Sequence, residues 1–465
     1  MLKNKLYLYS LLFIICGCSV GPDYKKPTTV PQEQIVDFLK LTDKSSDNLK
    51  KLWKEAIYDN DLERITNLVL NNNFNLKIAK EKLQQARLNL YIARAKFGPT
   101  IDSQGSYADA KSFETPLYKT KSDYYQIGFD ASWELDIWGG LRRLNESAQA
   151  LLKATGENFE NVKISLIAET ASNYINYRLY EKLLNISEQN LESQEQILQI
   201  VKSKLDAGLT DKLSFEQAQS ALETTKMQIP QLRSSLNLYK NNLANLSGVL
   251  PDKLNLTTSN LLNRNIKLNN QDLTDLPLNI ITFRPDIKIA EQQLISENAL
   301  IGNKIANLLP NVSLSALLGW QNNTLSPIFG SNYQIYNLGG AVSMPILHWG
   351  SLFNQVELQK SVTNEAKFTY KNTVLAAIFD INQAIKNLQE ENLRSQNAEN
   401  NKNIQNRILD LSLNKYKSGL IDFSTVLQAQ KDKLAAEQEY AQSLSKKLLY
   451  FISFNKSIGG YLSYF

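Results

Sequence analysis

Hydrophobic and polar positions along this chain follow two periods that take turns. Tyr125, Ile127, Phe129, Ala131, Trp133 and Leu135 alternate with Gln126, Gly128, Asp130, Ser132, Glu134 and Asp136. A period of two marks a strand with one apolar face. Val312, Leu314, Ala316, Leu318 and Trp320 repeat the scheme, as do Tyr336, Leu338, Val342 and Met344, and Ile101 to Asp109 is a weaker version. Around these stretches apolar residues recur every three or four positions, which predicts helices. The first pair covers Asn75–Lys96 and Asp286–Asn307, stopped by Pro99 and Pro310. Two long ones cover Leu141–Asp206 and Ser351–Lys417, and two return helices cover Leu213–Leu246 and Thr425–Ser457. About 65 residues at 1.5 Å each is roughly 100 Å, too long for an ordinary globular helix. Leu184, Leu191, Leu198 and Leu205 recur every seven residues, a coiled-coil spacing.

The elements come in two copies. "KLDAGLTDKLSFEQAQ" holds Gly208-Leu209, and "KYKSGLIDFSTVLQAQ" holds Gly419-Leu420, 211 residues later. The same offset links Pro99 to Pro310, Trp138-Gly139 to Trp349-Gly350, and "NLKIAKEKL" from Asn75 to "DIKIAEQQL" from Asp286. One shift without drift indicates a duplicated unit: helix, two strands, long helix, Gly-Leu turn, return helix. Glycine accepts the left-handed conformation that closes a helix. A Ser, Thr or Asp beyond it then starts the return, with Ser424 or Thr425 as the candidate in the second copy. The expected organisation is residues 1–17 as a leader, 18–74 as an extended segment and first helix, 75–250 as repeat one, 251–285 as a polar linker, 286–458 as repeat two and 459–465 as a tail.

Strands of 9–11 residues with alternating faces suit a tilted membrane barrel. They suit a water-soluble sandwich equally well. The N-terminus separates the two. Lys3 and Lys5 precede an apolar stretch, Leu6 to Ile15, too short to span a bilayer and typical of a secretory leader. It ends in Ile15-Cys16-Gly17-Cys18, a lipobox-like sequence that makes Cys18 the candidate lipidation site. By resemblance to bacterial lipoproteins, Ser19 after it, which is not Asp, favours sorting to the outer membrane, where acyl chains would anchor the chain to lipid. No other segment offers 18 consecutive apolar residues. Four strands cannot close a barrel, and open edges do not survive in hydrocarbon. The chain therefore reads as a partial wall, completed by further copies.

Composition removes other classes. Charged residues make up 21% of the 465, with a net charge of +5 and no basic stripe, which speaks against nucleic-acid binding. One histidine and two cysteines exclude imidazole-rich metal sites, zinc clusters and disulfide frameworks. Glu134 and Asp136, two apart on one strand face, have no accompanying nucleophile or metal ligand and read as a wet face. His348, where a strand meets a long helix, reads as structural. No phosphate-binding loop appears, so any energy must come from a partner. No enzyme activity, cofactor or metal is expected.

Several motifs together resemble a known family. They are Cys18-Ser-Val-Gly-Pro-Asp-Tyr24, Trp133-Glu-Leu-Asp-Ile-Trp-Gly139, Arg284-Pro-Asp-Ile287 with Ala290-Glu291, and both Gly-Leu turns. They resemble the TolC-like outer-membrane efflux factors, in the lipoprotein branch that serves resistance-nodulation-division pumps. The resemblance implies an α+β membrane protein in which four strands from each of three chains form a twelve-stranded barrel. A long coiled-coil tunnel would continue it into the periplasm. It implies a homotrimer acting as a passive exit duct for drugs, metal ions or other small molecules. An inner-membrane pump would deliver these through a periplasmic adaptor that touches Gly208, Leu209, Gly419 and Leu420. Related channels often narrow at carboxylates just past the second turn. Here Thr425 and Gln428 stand at those positions and Asp422 is the nearby acid, so Asp422, Thr425 and Gln428 are the candidate constriction. The rivals are an exit duct of a type I secretion-like system and a periplasmic coiled-coil scaffold lipoprotein. A scaffold has no use for Trp133 and Trp320 on apolar strand faces.

Overall fold

The computed structural model describes residues 19–29, 31–39, 47–115, 118–264, 279–326 and 328–462. The leader, the Cys18 lipidation site and much of the linker lie outside the described residues. Helices α1 (Gln32–Leu39), α2 (Asp47–Ile57) and α3 (Asn60–Asn72) come first, where the sequence suggested a single helix. The duplication is then visible element by element. Helix α4 (Phe74–Ala95) matches α7 (Pro285–Ala306), α5 (Gly140–Asp206) matches α8 (Ser351–Lys417), and α6 (Lys212–Leu246) matches α9 (Phe423–Ser457), every boundary 211 residues apart. Both ends of α4 and α7 and the starts of α5 and α6 each fall one residue earlier than expected. The start of α9 moves by two, because Asp422 takes the N-cap position with extended backbone and draws Ser424 and Thr425 into the first turn.

The chain divides into two compact units. The first takes in the described residues that fall within 19–27, 81–156 and 289–371. Its centre is a four-stranded antiparallel sheet in the order β1 (Thr100–Thr115), β2 (Tyr118–Leu135), β3 (Asn311–Asn322), β4 (Gln334–Ser343). The first hairpin is longer than the alternation suggested. Around Lys111, Ser112, Thr120 and Lys121 the pattern is lost, yet Lys111 still pairs with Lys121 through the backbone. Ladder hydrogen bonds do not require an apolar face. Met344 falls just outside β4.

The segment after Cys18 is strapped to this unit. Val20 N–H donates to the Trp138 carbonyl at 2.9 Å. The Arg143 guanidinium donates to the carbonyls of Val20 and Gly21 and to Asp23. Gly21 (φ 95) crosses Gly302 so closely that a Cβ on it would lie 2.4 Å from the Gly302 backbone. Tyr24 and Lys26 both donate to Glu291. These contacts tie the "SVGPDY" segment to the Glu of Ala290-Glu291.

The second unit holds residues 28–80, 157–288 and 372–465. Here the repeats solve one problem twice. Asn73 Nδ2 donates to the Leu246 carbonyl at 2.9 Å, and Arg284 Nη1 donates to the Ser457 carbonyl at 2.9 Å. Both donors and both acceptors are related by the offset, and each acceptor is the last residue of a return helix. Arg284 is also held by Asp286 (2.7 and 3.0 Å) and Asp380 (3.2 Å). The Arg-Pro-Asp motif is thus a helix-end clamp. Arg284→Ala is expected to lower stability by about 2 kcal/mol, the worth of hydrogen bonds to a charged group, and Asn73→Ala by about 1 kcal/mol. Thermal unfolding followed by circular dichroism would check both, and equal or negligible losses would refute the clamp.

The leucine heptad needs a correction. Leu183, Ile186, Ser187, Gln194, Ile197 and Val201 are buried, while Leu184, Leu191, Leu198 and Leu205 are half-buried. The packed seam lies one position round the helix from the leucines. Residues from other helices, Ala441 at one cluster and Leu409, Val426 and Ala429 at the next, set that rotation.

Candidate functional site: a wall and two exposed turns

The sheet register sorts its side chains into two faces. Ile101 lies opposite Ala131, Phe129 opposite Leu318, Leu318 opposite Tyr336, and Ala316 opposite Leu338. Trp133 lies opposite Leu314, and Ile127 opposite Trp320. These residues share one face, and Ile101, Phe129, Trp133, Leu314, Leu318, Tyr336, Leu338 and Val342 are exposed on it. The other face carries Asp102, Gln104, Asp130, Ser132, Glu134, Ser313, Ser315 and Asn337, with Gln104 Nε2 donating to Asp130 at 2.8 Å. Leu317, between Asp130 and Asn337, is an apolar exception. A sheet with an exposed apolar face opposite a wet one is a wall between lipid and water.

Asp136 is not on that face. Strand β2 ends at Leu135, and the Asp136 carboxylate accepts the backbone N–H groups of Leu141 and Arg142 at 2.9 and 3.0 Å. It anchors the start of α5, where the helix dipole favours an anion. Glu134 and Asp136 therefore do not share a strand face. Trp138 Nε1 donates to the Pro310 carbonyl at 2.7 Å and Trp133 Nε1 to that of Phe97 at 2.8 Å. The His348 carbonyl accepts from Ser351 N–H at the start of α8.

The two turns have one geometry. Gly208 (φ 69) donates to the Leu205 carbonyl and Leu209 to that of Lys204; Gly419 (φ 75) donates to Tyr416 and Leu420 to Lys415. A Cβ on either glycine would meet nothing within 4 Å, so the backbone angle alone calls for glycine. Leu209 and Leu420 are 74% and 73% exposed. The return helices are capped differently. Asp211 accepts the Ser214 N–H at 2.8 Å, and hydrogen bonds to Ser214 hold its carboxyl below the usual range. The Asp422 side chain makes no capping hydrogen bond among the described contacts. Behind the turns, Ile197 and Val201 of α5 pack with Leu409, Tyr416, Phe423 and Val426 of α8 and α9. Lys204 joins the two hairpins, with Nζ 2.8 Å from the Tyr416 carbonyl and 4.2 Å from its ring centre.

Asp422, Thr425 and Gln428 are all exposed and follow one another at helical spacing. Gln428 Nε2 donates to Asp432 at 2.8 Å. Asp432 lies one turn beyond the positions singled out in the sequence.

The sequence model of the family described as "Outer membrane efflux protein" matches this chain twice, over residues 65–249 and 276–460. The chain belongs to that family. The two matches begin and end 211 residues apart, so the repeat is the family's own unit. The cation efflux system protein CusC of Escherichia coli (strain K12) is 25% identical over 457 residues, covering 96% of this chain and 98% of CusC. The solvent efflux pump outer membrane protein SrpC of Pseudomonas putida is 28% identical over 475 residues, covering 98% of each. Among solved structures, the outer-membrane channel OprN superposes with a TM-score of 0.86 at 26% identity, covering 95% of this chain and 99% of OprN. This outer membrane efflux protein is therefore a channel component, and its sheet is a piece of channel wall.

Proposed function

We propose that three copies of this chain form one passive exit duct of a tripartite efflux system. The observation that carries the reading is the sheet: it has an apolar and a polar face, and two open edges, β1 and β4. The order of four antiparallel strands makes β1 and β4 run in opposite directions. The β4 edge of one copy can then pair antiparallel with the β1 edge of the next, and an even-stranded barrel closes. Two copies would give eight strands, whose interior is filled by side chains. Three give twelve and leave a duct. Exposed Phe353, Leu358 and Phe368 on α8 and Leu88, Tyr91 and Ile92 on α4 supply the apolar area that assembly buries.

An inner-membrane pump would supply the energy and a periplasmic adaptor would seat on Leu209 and Leu420. Exposed apolar residues on rigid turns are the kind of feature a partner covers. Asp422, Thr425 and Gln428, with Asp432, would line the constriction. The substrate class stays open between cations and organic solutes, since CusC is a cation efflux protein and SrpC a solvent efflux pump component. Cys18 would carry lipid. Its neighbour Ser19 packs so closely on Gly139, past the end of β2, that a Cβ there would lie 2.6 Å from the Ser19 hydroxyl. The anchor would thus be fixed level with the end of the strands. Cys18→Ala is expected to abolish fatty-acid labelling, and unchanged labelling would refute the lipid assignment.

Deleting the chain tests the reading as a whole. Susceptibility to at least one drug, detergent or metal ion should rise, and purified protein should give discrete conductance steps in a planar bilayer. A protein that conducts nothing, in cells with unaltered susceptibility, would contradict it.

A further inference from the structure

Within the chain, α7 and the corner that follows it pack against the start of α5. Three contacts define this joint. Asn303 Nδ2 donates to the Gly140 carbonyl at 3.0 Å, the hydroxyls of Ser147 and Ser296 lie 2.8 Å apart, and Trp138 Nε1 reaches the Pro310 carbonyl at 2.7 Å. Each contact joins one residue of repeat one to one of repeat two. Carried along the 211-residue offset, the same joint would involve Ile92 with Ser351, Gln85 with Leu358, and Trp349 with Pro99. All six are exposed in the single chain, and Trp349 is 89% exposed. The joint thus exists once in each chain as a finished contact, and once as two unfilled halves.

The halves also change character. The finished joint is held by amide, hydroxyl and carbonyl groups. In the open halves Ile92 replaces Asn303, Leu358 replaces Ser147 and Tyr91 replaces Gly302. A contact inside one chain is held in place by the fold. A contact between chains must gain free energy on meeting, and apolar burial is the usual source.

We infer that Trp349 of one protomer seats on the α4–β1 corner of the next, giving its indole N–H to the carbonyl of Pro99 of the partner subunit, while Ser351 and Leu358 lie along the partner's α4 beside it. This inference rests on the homotrimer reading above and names the contact by which neighbours recognise one another. In the single chain Trp349 has φ 48 and Trp138 does not share that left-handed backbone. Seating gives Trp349 the backbone of Trp138 and releases a conformation its Cβ disfavours. An exposed tryptophan at a strand end also suits the lipid headgroup layer. The repeat argument decides for a protein partner, because Trp138, at the same place in the other repeat, is hydrogen-bonded to protein.

The test uses the full-length protein with Trp349 replaced by the photoreactive p-benzoylphenylalanine. Illumination should link two chains, and mass spectrometry should map the link to residues 96–100. A link to lipid, to the chain's own residues or to another segment of the partner would overturn the inference. Trp349→Phe keeps the ring but loses the N–H. It should lower the temperature at which the assembly separates in detergent, with helix content unchanged by circular dichroism. An unchanged separation temperature would remove the hydrogen bond. Light scattering on unmodified protein separates the two levels. Three copies with a link elsewhere overturns this contact alone, and a single copy overturns the homotrimer with it.

Discussion

Phe129→Arg combined with Leu318→Arg is expected to empty the outer membrane of this protein. The two residues lie opposite one another on β2 and β3, on the exposed apolar face. A charged side chain facing lipid near the bilayer midplane costs about 2–4 kcal/mol, and two like charges placed opposite each other add repulsion. The loss is comparable to the whole stability of many domains. The control is the same double change on the other face. Ser132 and Ser315 are also directly opposite, and Ser132→Arg with Ser315→Arg should assemble at normal levels and shift conductance toward anions. Protein level in outer-membrane fractions is the readout. Equal insertion of both pairs would mean that the apolar face does not meet lipid.

Leu209→Asp and Leu420→Asp are expected to abolish efflux and leave assembly intact. Both leucines are exposed, so folding should change by no more than about 0.5 kcal/mol. An adaptor that covers them would have to desolvate an unpaired carboxylate at a cost of several kcal/mol, which weakens docking a hundredfold or more. Gly419→Val separates this effect from turn geometry. The space around Gly419 is open, so the substitution meets only the backbone cost of a left-handed non-glycine residue, about 1–2 kcal/mol. It should reduce stability, and the leucine variants should not. If both leucine variants pump normally, the turns serve helix geometry alone.

Much of this was legible in the sequence. Strict alternation from Tyr125 to Leu135 fixed which residues share a face, because a strand's side-chain period is two whatever surrounds it. The 211-residue offset gave the order of elements, since a duplicated unit must fold the same way twice. What stayed hidden was set by tertiary contact. The seam through Leu183, Gln194, Ile197 and Val201 depends on neighbouring helices that a heptad of leucines does not reveal. Asp136 read as a strand residue because its sequence spacing continues the alternation, and only the turn into α5 redirects it to Leu141 and Arg142. Asn73 and Arg284 share no chemistry class, so their common role at Leu246 and Ser457 appears only when the carbonyls are seen.

The central claim is that one chain is a third of a channel. The most direct measurement is the protein mass of the detergent-solubilised particle by light scattering, corrected for bound detergent. The account predicts three chains per particle, with no stable single-chain species on dilution. A folded particle containing one chain, with the β1 and β4 edges left open, would contradict it.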